Sequence, residues 1–85
     1  MNPVTEKIVI IDDEQRMCDS LTALLEADGY RAISFQRPSL ALEAIRAEKV
    51  DLVITDIKMP EMDGLEILRS VKQIDEGIPV ILMTA

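Results

Sequence analysis

Four side chains that could bind a cation or a phosphoryl group directly follow short apolar runs of the sequence. Asp12 and Asp13 follow the first run, Asp56 follows the second, and Thr84 follows the third. The runs are Ile8–Ile11, Leu52–Thr55 and Val80–Met83. Runs of this length, rich in β-branched residues and separated by helical patterns, are typical of buried parallel strands. Because the reactive crevice of an open parallel sheet lies at the carboxyl ends of its strands, we expect three carboxylates and one hydroxyl to meet at that edge, called here the carboxyl edge.

The three aspartates also have an ordinary structural explanation. Aspartate is favoured at helix N-termini and its charge complements the helix dipole, so Asp12 or Asp13 alone would be interpreted as a cap. Asp56 alone would be interpreted as a cap or turn residue. The adjacent pair is harder to explain, because two carboxylates repel each other unless a cation or solvent relieves them. Capping would require three coincidences at one edge, so we favour a functional site.

The donor set indicates which ligand this site would take. The chain has no histidine, and carboxylate oxygens without histidine or thiolate favour a hard cation. Mg²⁺ fits best, because it keeps several waters and needs one or two carboxylates plus phosphate oxygens. Asp56 is the candidate nucleophile, since carboxylates attack phosphorus to give aspartyl phosphates. Thr84 either contacts a phosphoryl oxygen or simply ends its strand, and Lys58 either influences water access to the site or is a surface lysine.

Size and charge exclude several classes of protein. The chain has 85 residues, enough for one small domain. Its net charge of −7 argues against direct binding of nucleic acid, which needs a basic face. The longest apolar run has four residues, and neither a membrane span nor a signal peptide is recognisable. Cys18 cannot form an internal disulfide. A reduced, cytoplasmic location is therefore expected, without a membrane role.

Apolar periodicity predicts the order βαβαβαβ, which is typical of an α/β fold with a parallel sheet and helices on both faces. The predicted strands are 7–11, 31–35, 51–55 and 80–83, and the predicted helices are 14–28, 38–49 and 65–74. The predicted inner stripe of the first helix consists of Met17, Leu21, Leu24 and Leu25. Asp63-Gly64 is interpreted as a turn before the third helix.

The motifs at the carboxyl edge resemble those of response-regulator receiver domains, the phosphoacceptor modules of two-component signalling. Four segments have the family's residues at the family's spacings: Ile11–Glu14, Thr55–Pro60, Met62–Glu66 and Met83–Ala85. The resemblance implies a flavodoxin-like sheet with strand order 2-1-3-4. It also implies that Asp56 receives phosphate from a sensor histidine kinase and that Thr84 contacts the phosphoryl group. Mg²⁺ would be held by Asp13, Asp56 and the backbone carbonyl of Lys58, with Asp12 acting mainly through water.

The sequence departs from the family at its carboxyl end. A full receiver has a fourth helix, a fifth strand and a fifth helix, and that strand supplies a lysine and a switch aromatic that have no counterpart here. We therefore interpret residues 1–6 as a lead-in and residues 7–85 as an incomplete receiver domain of a truncated chain. The fourth strand lacks the usual edge protections, so the truncated chain is expected to self-associate. The full-length protein is expected to carry an output domain. The sequence around Asp56 and Thr84 is most similar to that of receivers attached to enhancer-binding transcription activators.

Three functions fit these observations to different degrees. The leading hypothesis is a phosphoacceptor signalling module that catalyses at most its own phosphorylation and dephosphorylation, and so is not an enzyme with a separate substrate. A metal-dependent phosphohydrolase with an aspartyl nucleophile is the second, although its usual D-x-D-x-T motif after the first strand is replaced by Asp12-Asp13-Glu14. The third is an interaction module that keeps the fold and has lost phosphorylation.

Overall fold

A computed structural model describes residues 6–84 of the chain. Its elements, in chain order, are β1 (Lys7–Ile11), α1 (Gln15–Ala27), β2 (Arg31–Phe35), α2 (Pro38–Ala47), β3 (Leu52–Asp56), α3 (Gly64–Ile74) and β4 (Val80–Met83). The predicted order βαβαβαβ is confirmed. Of the predicted lead-in, only Glu6 is described; residues 1–5 lie outside the described residues, as does Ala85 of the last motif.

The four strands form one parallel sheet in the order β2-β1-β3-β4, as predicted. Val9 in β1 lies opposite Ile33 in β2 and Val53 in β3, and Val53 lies opposite Val80 in β4. All five residues of β1 are buried, which explains why its run is apolar throughout rather than alternating. Because the strands are parallel and in register, their carboxyl ends lie at one edge of the sheet.

Helices cover both faces of the sheet, which confirms the predicted layering. On one face, Val9 and Ile11 of β1 pack in a core cluster with Ala41 and Ile45 of α2 and Ile67 of α3. On the other face, the alternate β1 residues Ile8 and Ile10 form a second cluster against which Leu21 and Leu25 of α1 pack. No helix in the described part of the chain is long and apolar enough to cross a membrane.

The predicted inner stripe of α1 is only half right. Leu21 and Leu25 pack on the sheet, but Met17 is 43% exposed and Leu24 is 62% exposed. Cys18, only 1% exposed, takes the inner position instead. Because successive helical residues are about 100° apart, Cys18, Leu21 and Leu25 lie along one side of the helix and the other two lie to its flank. Because apolar residues occur on two sides of α1, the sequence alone did not determine which side packs on the sheet.

Several element ends also differ from prediction by one or two residues. Helix α1 runs over Gln15–Ala27 rather than 14–28, with Glu14 and Asp28 as its N-cap and C-cap. The second helix ends at Ala47 rather than residue 49, because Glu48 is extended (φ −132°, ψ 159°). The third strand runs one residue later than predicted, because Asp56 pairs with Met83 of β4. Asp63 and Gly64, predicted as a turn, are the N-cap and first residue of α3, where the Asp63 side chain accepts a hydrogen bond from the Glu66 backbone N–H.

Candidate functional site

The structure brings the sequence-predicted site residues together at the carboxyl edge. Asp12 and Asp13 lie between β1 and α1, Asp56 ends β3, and Thr84 follows β4. One carboxylate oxygen from each of the three aspartates lies within 4.8 Å of the other two. Beside them is an open cavity of about 500 Å³ lined by Asp13, Glu14, Asp56, Ile57, Lys58 and Thr84. Thr84 and Lys58 are both exposed, whereas Asp56 is half-buried.

Asp12 is fixed by the end of strand β1. Its backbone N–H donates to the Phe35 carbonyl (3.1 Å), so the β1–β2 pairing continues past Ile11. Its carboxylate Oδ1 accepts from the Glu14 backbone N–H at 2.9 Å. The N-cap of α1 is Glu14, whose side chain makes no capping bond. Neither Asp12 nor Asp13 is therefore the cap residue itself, although Asp12 satisfies one N–H at the start of the helix.

The acidic cluster carries an electrostatic repulsion that protein groups only partly relieve. Burial raises the pKa of Asp12 above its ordinary value, and the charges of Asp56 and Asp13 raise this pKa further. The hydrogen bond from the Glu14 backbone N–H lowers it. Among residues 6–84, the ion pairs are Lys7–Glu48 and Arg37–Glu61, and neither includes a cluster aspartate. Crowded carboxylates without a basic partner are a donor set that fits a hard divalent cation.

Asp56 is held by its neighbours in the sheet and by the loop that follows it. This loop, residues 57–63, is called here the β3–α3 loop. The Ile57 backbone N–H donates to the Met83 carbonyl (3.1 Å), and the Gly64 N–H closes the loop by donating to the Ile57 carbonyl (2.7 Å). A Cβ on Gly64 would lie 2.9 Å from both the Asp56 carbonyl oxygen and the Ile57 Cα. The start of α3 thus packs directly on the backbone of the candidate nucleophile, and only glycine fits there.

Two features of the site were missed from the sequence. Glu14 is a further carboxylate on the cavity wall, and its position directly after the Asp12-Asp13 pair could have indicated it. Glu61 forms an ion pair with Arg37 and bonds the start of α2, beside a second cavity of about 220 Å³ that Asp13 also lines. No local pattern could have found this contact, because its partners lie 22 and 24 residues apart in the chain.

Fold and site together define an α/β domain with a parallel sheet and, at its carboxyl edge, a cluster of carboxylates that could hold a metal ion. The profile of one family, the response regulator receiver domain, matches residues 8–85. The chain is 44% identical over 78 residues to the transcriptional regulatory protein ZraR of Klebsiella oxytoca, covering 92% of this chain and 18% of ZraR. It is 42% identical over 82 residues to sporulation initiation phosphotransferase F of Bacillus subtilis, covering 96% of this chain and 66% of that protein.

Solved structures similar to this chain are also response regulators. The response regulator TrrA of Thermotoga maritima, crystallised with Mg²⁺ and BeF, superposes with a TM-score of 0.90 at 31% identity, over 95% of this chain and 70% of TrrA. TrrA is also known in complex with the histidine kinase ThkA. The chain therefore belongs to the response regulator receiver domain family, and its sheet is the flavodoxin-like sheet of that family. The chain spans about a fifth of the ZraR sequence and about two thirds of the sporulation initiation phosphotransferase F sequence.

Proposed function

We propose that this chain is a phosphoacceptor signalling module in which Asp56 receives a phosphoryl group from a sensor histidine kinase. The observation that carries the proposal is the meeting of Asp12, Asp13 and Asp56 beside an open cavity at the end of β3, in a member of the receiver family. Similarity to a protein named as a phosphotransferase and to a regulator crystallised with a histidine kinase supports it.

In the proposed reaction, a carboxylate oxygen of Asp56 attacks the phosphorus of a phosphohistidine. A bond forms between this oxygen and phosphorus while the bond from phosphorus to the imidazole nitrogen breaks, and the freed imidazole takes up a proton. The product is an aspartyl phosphate. The hydroxyl of Thr84, which lines the same cavity, donates a hydrogen bond to one phosphoryl oxygen. The side chain of Lys58 lies at the cavity wall and modulates the access of water, and hence the lifetime of the product.

The residues present fit a magnesium ion. Asp13, Asp56 and the backbone carbonyl of Lys58 would hold it, with Asp12 acting through water. When bound, the ion would neutralise charge that develops on the phosphoryl oxygens. The cluster carboxylates repel one another, which contributes to the raised pKa of Asp12. A divalent cation would relieve this repulsion even in the absence of a phosphoryl group. Similarity to a regulator crystallised with Mg²⁺ supports the choice of metal.

The wider role is inferred from the relatives. We infer that residues 7–85 act as one receiver unit of a cytoplasmic response regulator whose output domain regulates transcription, because several relatives are transcriptional regulatory proteins. Those of the ZraR type favour the enhancer-binding subclass named from the sequence. With a net charge of −7, this unit does not itself bind DNA. It modifies only itself, and so is not an enzyme that turns over a separate substrate.

Phosphorylation by a small donor tests the proposal. The chain is incubated with acetyl phosphate and Mg²⁺, and the fraction carrying one phosphoryl group is followed by intact mass spectrometry. Asp56→Asn should abolish the adduct, whereas Asp28→Asn, which changes an exposed aspartate at the far end of α1, should leave it unchanged. Lys58→Ala should alter the decay of the adduct more than its formation. Continuous release of phosphate without a stable adduct would contradict the proposal and favour a phosphohydrolase.

A further inference from the structure

Helix α2 begins without a capping residue of its own. Its N-cap is Arg37, whose side chain makes no capping bond, and the first helical residue, Pro38, has no N–H. The first free N–H of the helix is that of Ser39, which donates to Oε1 of Glu61 at 3.1 Å. The other oxygen of the same carboxylate accepts from the Arg37 guanidinium at 3.3 Å. Glu61, a residue of the β3–α3 loop, therefore caps α2 from outside the helix.

The segment that receives Glu61 also contacts the other loop of the acidic site. Gln36 lies next to Arg37, and its side-chain Nε2 donates to the backbone carbonyl of Asp13 at 3.1 Å. Residues 36–39 therefore bridge the loop that carries Asp13 and the β3–α3 loop that carries Lys58. Gln36, Arg37 and Pro38 line the second cavity together with Met59 and Pro60. This cavity lies directly beside the acidic cluster, because Asp13 borders both cavities.

The β3–α3 loop is anchored unevenly. At its base, Ile57 is bonded to β4 and to Gly64, and Met59 is buried in the core. In its outward part, Pro60, Glu61 and Asp63 are exposed, while Met62 is partly buried against the core. Glu61 supplies the contact that ties this part to α2. Lys58 lies between the two anchored residues Ile57 and Met59, and Glu61 ties the same loop to residues 36–39, which also hold the Asp13 carbonyl. A change at Glu61 would therefore alter the position of the Asp13 loop relative to the Lys58 carbonyl, while the sheet that carries Asp56 would be unaffected.

We propose that Glu61 is a positioning residue for the metal site: it holds the β3–α3 loop against the N-terminus of α2 and so fixes the Lys58 carbonyl relative to Asp13. The inference rests on the proposed function of the acidic cluster. By reciprocity of coupled equilibria, if the bond from Ser39 to Glu61 strengthens Mg²⁺ binding, then Mg²⁺ must strengthen that bond by the same factor. Metal occupancy is thereby communicated to α2.

Glu61→Asp separates position from charge. Aspartate keeps the negative charge near the site but is one methylene shorter, so its carboxylate no longer reaches both Ser39 and Arg37. Glu61→Ala removes the contact and the charge. The matched control is Glu43→Asp, which makes the same substitution at an exposed position of α2. Mg²⁺ affinity is measured by titration of backbone NMR shifts, and amide hydrogen exchange at Ser39 is measured with and without Mg²⁺.

Both Glu61 variants should bind Mg²⁺ about 3–10-fold more weakly, less than the roughly 10–100-fold typical of partners that orient metal ligands, because this contact is exposed to solvent. Glu43→Asp should bind as the unchanged chain does. In the unchanged chain, Mg²⁺ should slow exchange at Ser39, and this effect should disappear in Glu61→Asp. Normal affinity in Glu61→Asp, or exchange at Ser39 that ignores Mg²⁺, would overturn the positioning role. If Asp56→Asn also leaves Mg²⁺ binding unchanged, the proposed function itself fails; if it abolishes binding, only the role of Glu61 fails.

Discussion

Replacing Gly64 with alanine would test how closely α3 packs on the backbone of the candidate nucleophile. The new Cβ would lie 2.9 Å from the Asp56 carbonyl oxygen and 2.9 Å from the Ile57 Cα, and 3.2 Å from Cδ2 of Leu82. The first two are backbone atoms of the sheet end and the β3–α3 loop, so they cannot turn aside as the end of a flexible side chain would. Either α3 moves outward or the segment that carries Asp56 shifts.

The expected cost follows from two opposing effects. Overpacking of a well-packed site costs about 1–3 kcal/mol. Alanine is a better helix former than glycine by up to about 1 kcal/mol, which offsets part of that cost. The net loss should be about 1–2 kcal/mol, a sizeable part of the roughly 5–15 kcal/mol by which small domains are stable. At about 4–8 °C per kcal/mol for a domain of this size, the melting temperature should fall by roughly 4–16 °C.

Thermal unfolding followed by circular dichroism measures this loss, and Mg²⁺ titration measures the effect on the site. The matched control is Gly77→Ala, whose Cβ would approach only the Asp75 side-chain Oδ1, at 3.2 Å. This oxygen ends an exposed side chain, so it can shift slightly while it keeps its hydrogen bond from the Gly77 backbone N–H. The control should melt within about 4 °C of the unchanged chain, because surface changes are usually worth less than about 0.5 kcal/mol. If Gly64→Ala melts with the control and binds Mg²⁺ normally, the close packing of α3 on Asp56 is wrong.

Three other properties of the chain can be predicted. Without divalent cations, Asp12→Asn should stabilise the fold at neutral pH. Because the pKa of Asp12 is raised in the folded chain, the free energy of unfolding falls as pH rises from the ordinary pKa of 3.8 through the folded pKa. Chemical denaturation at several pH values should show that the variant lacks this decline. Cys18 is 1% exposed and burial raises its pKa, so its thiol should react with a disulfide reagent only on unfolding; rapid labelling of the native chain would contradict this. The 85-residue chain should self-associate at micromolar concentration, because β4 ends the sheet that the structure describes and Ile81 is 48% exposed; Ile81→Lys should shift light scattering toward a monomer, and a monomeric unchanged chain would refute the prediction.

The sheet could be predicted from the sequence because its signals are local. Each strand is a short apolar run, and alternation of such runs with helical patterns leaves few topologies open. The meeting of Asp12, Asp13 and Asp56 followed from the same rule, since parallel strands deliver their carboxyl ends to one edge. The strand order 2-1-3-4 came from the resemblance to receiver domains, and the observed hydrogen bonding confirms it. The roles given to Lys58 and Thr84 stay predictions.

What the sequence could not provide depends on contacts between distant residues. The rotation of α1, which buries Cys18 and exposes Leu24, is decided by packing on β1 and β2, because apolar residues occur on more than one side of the helix. The bond between Glu61 and Ser39 joins residues 22 positions apart and replaces a local cap that the sequence lacks. The capping-type residue next to Pro38 is Ser39, which lies inside the helix, so a search for a local cap would not have indicated that the cap comes from Glu61.

The central claim is that Asp56 is the phosphoacceptor, and chemical mapping of the modified residue tests it most directly. The chain is phosphorylated with acetyl phosphate in the presence of Mg²⁺, the acyl phosphate is reduced with borohydride, and the digested peptides are sequenced by mass spectrometry. The account predicts one reduced residue, Asp56, which is absent when Mg²⁺ is chelated. A reduced residue at Asp12, Asp13 or Asp63, or a phosphate ester on Thr84, would contradict it.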